Sequence, residues 1–127
     1  MKPHHTIAVS VLVGVAVGVA AVQTLRAQAK PPAFVVGEIV VTNPDAYQTE
    51  YVPPAVKAIV DGGGKYIVRG GEIAGMYGEP PKPIAIVASE ALDKAQAAFD
   101  SPAYKDAKKA GDKYANFRIY AVEGLPQ

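Results

Sequence analysis

Gly62-Gly63-Gly64-Lys65-Tyr66-Ile67-Val68-Arg69-Gly70-Gly71 sets the sense of the fold: a glycine stop, a short run of strand-forming residues, then two more glycines. The triple glycine ends the helical pattern before it, and Lys65 to Arg69 reads as a strand. Gly70-Gly71 permits a bulge or sharp bend before Glu72 to Tyr77. A phosphate-binding loop is excluded, because this glycine run follows a helix and enters a strand, the reverse of what backbone amides at a helix start require. Working outward toward the amino terminus, Tyr47, Tyr51, Ala55 and Ile59 recur every fourth residue and give a helix its apolar stripe. Thr42-Asn43-Pro44-Asp45 starts that helix with a cap candidate, a proline at the first helical position and an acid in the first turn. Pro53-Pro54 removes two amide donors, so a kink or two short helices is expected. Further upstream, Ala33 to Val41 is apolar on both alternating faces, the pattern of a strand covered on both sides.

Toward the carboxyl terminus, Gly78 to Pro83 is a stiff loop and Ile84 to Ala88 a third strand. Ser89-Glu90 is expected to cap a helix running to about Asp100, and Ser101-Pro102 a second segment to about Tyr114. Asn116 to Val122 closes the sheet. The order β-α-β-β-α-β makes this an α+β chain of ferredoxin-like type, with helices on one sheet face and the other left for a partner.

Residues 1–29 read as an export leader: a charge at Lys2, an apolar run from Ile7 to Val22, and Ala27-Gln28-Ala29 as the small-x-small cleavage pattern. At ~1.5 Å per residue the run spans roughly 24 Å, short of the ~30 Å hydrocarbon core. Extension to Leu25 leaves an uncleaved anchor through residues 7–25 as the alternative. The expected location is therefore periplasmic or secreted, and a membrane is a partner only if the leader stays. Cleavage leaves residues 30–127 as a single domain of 98 residues with 11 basic and 12 acidic side chains. That domain has no His, Cys or Trp, since both histidines, His4 and His5, fall in the leader. Ser-His-Asp and Cys-His nucleophile systems, histidine or thiolate zinc sites and histidine-ligated haem are thereby excluded; an oxygen-rich metal site stays formally open, but no cofactor or metal is expected. A charge balance of −1 makes nucleic acid an unexpected partner. A domain of this length buries only about 60–70% of its unfolded surface, so pairing of two copies is expected.

Four strings resemble the domain-of-unknown-function family 1330: Gly37-Glu38-Ile39, Thr42-x-Pro44-x-x-Tyr47, Gly63-Gly64-Lys65-Tyr66-x-Val68-Arg69-Gly70-Gly71 and Asp100-Ser101-Pro102-x-Tyr104. The resemblance covers nearly all of Ala33 to Gly124. It implies a dimeric α/β barrel, two ferredoxin-like sheets facing each other, in a superfamily that includes cofactor-free oxygenases, haem-degrading enzymes and lactone isomerases. It implies no particular reaction. Two positions depart from the family pattern: Phe99 stands where tryptophan is frequent, and Gly111 where an arginine is usual. Loss of that arginine would remove bidentate recognition of an anion from this helix.

Candidate residues carry a functional and a structural reading side by side. Glu38 shares a strand face with Phe34, Val36 and Val40; it is a candidate general base, or the structural partner of Arg69 or Arg118. Arg69, ahead of Gly70-Gly71, is the better anion-binding candidate of the two arginines. Tyr47, Tyr51, Tyr66 and Tyr104 could orient a phenolic or quinone-like ligand, or pack as core. Asp100 and Ser101 are a pocket-mouth candidate and also a helix cap. Pro80-Pro81-Lys82-Pro83 reads as a rigid turn, and Lys105, Lys108, Lys109 and Lys113 as a solvated face. The leading expectation is an exported homodimer that binds a small aromatic or anionic molecule in a cavity lined by Tyr47, Tyr66 and Tyr104 and by Glu38 with Arg69. The alternatives are a cofactor-free isomerase or oxygenase with Glu38 as base, and a structural dimer with a sealed core.

Overall fold

The computed structural model describes residues 30–126, so the expected leader lies outside the described residues. The elements are β1 (Ala33–Val41), α1 (Pro44–Ala46), a π turn (Tyr47–Tyr51), α2 (Val52–Asp61), β2 (Lys65–Arg69), β3 (Ile84–Ser89), α3 (Leu92–Asp100), α4 (Pro102–Gly111) and β4 (Ala115–Glu123). The four strands form one sheet in the order β2-β3-β1-β4, antiparallel at each junction. This is the split arrangement expected of a ferredoxin-like chain.

Local chemistry sets the element ends. Asn43 Oδ1 accepts from the Ala46 amide at 3.3 Å and opens the first helical segment. The interruption expected from Pro53-Pro54 takes the form of a π turn, in which the Val52 amide donates to the Tyr47 carbonyl five residues back. Gly63 follows α2 at φ +91°, a conformation an L side chain would oppose. Ser101 joins two helices, its hydroxyl donating to the Ala98 carbonyl at 2.8 Å and accepting from the Tyr104 amide at 3.2 Å. The cap expected of Ser89-Glu90 does not form. Ser89 is the buried last residue of β3, paired with Ala33, and α3 begins behind Ala91 with no side-chain cap.

Within one copy of the chain, the helices cover one face of β1. Ala33, Val35 and Gly37 lie buried against the helices, whereas the alternate face carries Phe34, Val36 and Val40, and on it Val40, Tyr120 and Val122 are 39%, 44% and 52% exposed. Gly70 supplies the expected sharp bend, at φ +71° directly after β2, and a bulge lies within the strand at Ile67, which has no cross-strand partner between the pairs Tyr66 with Val87 and Val68 with Ile86. In an unbroken strand, residues 66 and 69 would point to opposite faces. The extra residue turns Arg69 to the same side as Tyr66.

Between sheet and helices the buried core is rich in alanine, with Ala55, Ala58, Ala95 and Ala107 packed around Val35, Ile59 and Val87. Aromatic rings fill what the alanines leave. Tyr47 stacks on Tyr51 at 5.1 Å, Tyr51 meets Phe117 at 5.0 Å, and Phe99 meets Tyr104 at 4.7 Å between centroids.

Candidate functional site

Two connected spaces open between the helices and the covered sheet face. The inner slot, about 50 Å³, is walled by Val35, Ile59, Val87, Phe99, Tyr51 and Tyr104 among others. The outer groove, about 310 Å³, adds Gln48, Gly70, Gly71, Ile73 and Pro83 from the helix start and the β2–β3 loop. Ile39, Tyr47, Val52, Arg69 and Ala85 border both. The slot alone has room for water or a small group, whereas the groove is at the lower end of small-molecule pockets, which start near ~300 Å³.

Of all the residues lining these two spaces, only Arg69 is charged. Lys57 pairs with Asp61, Lys108 with Asp112 and Arg118 with Glu38, and no described carboxylate forms an ion pair with Arg69. Its guanidinium lies 5.1 Å from the Tyr66 ring centroid, a cation–π contact that holds the group at the rim without cancelling its charge.

The phenols around it are donors, not bases. Burial pushes Tyr66 up to about 12, with the nearby Tyr104 adding to the rise and Arg69 opposing it. Burial also raises Tyr47, again with Arg69 pulling the other way. Tyr51 and Tyr104 are raised by burial as well, and their hydroxyls meet at 2.9 Å deep in the slot. At neutral pH all four rings present O–H groups.

The structure thus gathers Tyr47, Tyr66, Arg69 and Tyr104 around one cavity, together with Tyr51. It separates the other candidates from them. Glu38 does not line this cavity: it lies on the alternate sheet face, where it pairs with its cross-strand neighbour Arg118 at 3.4 Å. The placement of Glu38 beside Arg69 is therefore corrected, because strand alternation puts Gly37 and Ile39 in the cavity and Glu38 behind it. Arg118 also reaches Tyr120, 5.4 Å from its ring centroid. Asp100 ends α3 on a further depression with Gln96 and Tyr120, on the far side of Val35, Phe99 and Ile119, which border both it and the slot. Within the lysine set, Lys108 pairs with Asp112 and sits 4.5 Å over the Phe117 ring. Among the described residues, no group of three or more His, Cys, Asp or Glu side chains could hold a metal.

A family model described as "Domain of unknown function (DUF1330)" matches residues 32–125. No curated protein matches the chain. Among solved structures, the RPA0582 protein of unknown function from Rhodopseudomonas palustris is similar at TM-score 0.58 and 16% identity, over 84% of this chain and 92% of that one. Its methylated form gives 0.58 and 17%, over 84% and 90%. HapK from Hahella chejuensis is similar at 0.50 and 13%, over 75% and 94%. At these identities the likeness concerns the fold alone.

Proposed function

This chain belongs to the domain-of-unknown-function family DUF1330, and on that premise we propose that it is a binding protein for a small apolar anion. One observation carries the reading: two adjoining apolar spaces share a single charged side chain, Arg69, with which no described carboxylate forms an ion pair. An exposed guanidinium at the edge of apolar walls, with no carboxylate already on it, is available to a ligand's anionic group. The Tyr47 and Tyr66 hydroxyls, held protonated, add neutral donors beside it. An aromatic or alkyl body then fills the groove. The base-driven enzyme reading draws less support, since Glu38 faces away from this space.

The same proposal includes export through residues 1–29 and pairing of two copies. Pairing is favoured by the alternate sheet face, where Val40, Tyr120 and Val122 are exposed around the Glu38–Arg118 pair, a surface that a second sheet of the same kind would cover. Among the described residues, no helix is long and apolar enough to cross a membrane.

Thermal-shift measurements with aromatic acids and their neutral amides test the binding reading. Acids at about 100 times Kd should add ~2.7 kcal/mol of stability, their amides far less, and Arg69→Met should remove the difference. Equal shifts from acid and amide, or an undiminished shift in the Arg69→Met protein, would refute it.

A further inference from the structure

We infer that the inner slot receives a neutral oxygen acceptor of the ligand, a carbonyl-type oxygen, through a phenolic proton that the Tyr51–Tyr104 pair cannot use internally. The inference rests on the anion-binding reading of the same cavity and narrows it to oxo acids: a carboxylate at Arg69, a carbonyl at the tyrosine pair, and an apolar chain between.

Proton counting carries the argument. Two hydroxyls hold two protons, and their mutual hydrogen bond at 2.9 Å uses one of them, whichever residue donates. The second proton finds no acceptor among the described residues. Tyr51 and Tyr104 are 6% and 4% exposed, so bulk water does not serve it, and a buried donor left unmade is costly. Both phenols are held protonated by burial. Both rings line the slot, whose other walls include Val35, Ile59, Val87 and Phe99. Those four side chains offer no lone pair, and the Tyr47 and Tyr66 hydroxyls, which also line the slot, make no hydrogen bond to the pair, so the acceptor comes from whatever occupies the slot. A second anion there would lie among apolar walls with no second cation, which a neutral oxygen avoids. Arg69 stands where slot and groove meet, so one ligand can address both ends.

Isothermal titration of the protein with heptanoate and with 4-, 5- and 6-oxoheptanoate tests the inference. At least one oxo isomer should bind about tenfold tighter than heptanoate, the worth of one added hydrogen bond. In the double variant Tyr51→Phe/Tyr104→Phe, every oxo isomer should bind no tighter than heptanoate binds to that same variant. Each single Phe variant keeps one hydroxyl proton, now released from the internal bond, so the count of spare protons is unchanged. If the double variant does not fold, the parent and the single variants decide: an oxo preference in the parent that at least one single variant retains supports the inference, and a preference absent from the parent, or lost in both single variants, overturns it. Heptanoate binding without any oxo preference, as a resident water would produce, overturns this inference and leaves the anion reading standing. Failure of all four acids to bind sinks both.

Discussion

Gly111→Ala is the smallest change that should disturb the site's back wall. Gly111 is the buried last residue of α4, and a Cβ there would lie 2.4 Å from Tyr51 Cδ1 and 3.0 Å from Phe117 Cζ. Contacts that short are not tolerated, so a ring must move. Tyr51 has little freedom to do so: Tyr47 stacks on one side at 5.1 Å, Phe117 closes another at 5.0 Å, and Tyr104 holds its hydroxyl. Overpacking of this kind costs about 1–3 kcal/mol. The gain from replacing glycine by alanine, up to ~1 kcal/mol inside a helix, is smaller at a terminal position. A net loss of about 1–2 kcal/mol is expected, or roughly 4–16 °C in Tm for a domain of this size. Circular-dichroism melting and urea titration of the two proteins measure it. If Gly111→Ala melts at or above the parent temperature, the Tyr51 ring is free to shift, and the reasoning that packing fixes the slot fails.

Arg69→Met should leave stability within about 0.5 kcal/mol, as an exposed side chain with no ion-pair partner contributes little, while weakening binding of an aromatic acid about tenfold by titration calorimetry. The stability these phenols contribute should be constant below pH about 10 and fall above it. Tyr47, Tyr51, Tyr66 and Tyr104 have folded values raised above the ordinary tyrosine range, so the unfolded chain loses protons first and gains stability as pH rises from about 10 through the folded values. Phenolate absorbance followed together with circular dichroism checks this; phenolate from all four of these rings at pH 10 in a folded protein would contradict it. Val122→Lys places a charge on the exposed sheet face and should shift the sedimenting species toward monomer with the helical signal intact, and an unaltered sedimentation coefficient would count against pairing through that face.

Much of the fold was legible because punctuation in the chain is strong. Lys65 to Arg69 keeps its expected bounds between glycines, and Ser101 acts as the cap that Ser-Pro spacing implies. The site was legible only in part. Alternation along β1 groups Glu38 with Phe34 and Val36, but both faces of that strand are apolar, so sequence does not reveal which one meets the helices. The bulge at Ile67 leaves no compositional mark, yet it decides that Arg69 joins Tyr66. The hydroxyl contact between Tyr51 and Tyr104 links residues 53 apart, a distance no local pattern spans. Gly111, noted in the chain as the loss of an arginine, takes on a physical reason in the structure: the Tyr51 and Phe117 rings occupy the space that a larger side chain would need.

A crystal structure of the protein grown with benzoate addresses the central claim most directly. The account predicts the carboxylate within hydrogen-bond distance of the Arg69 guanidinium and the ring in the groove bordered by Ile39, Tyr47 and Ile73. Benzoate seated only at Arg118 on the opposite sheet face, or a groove left empty at saturating ligand, would contradict it.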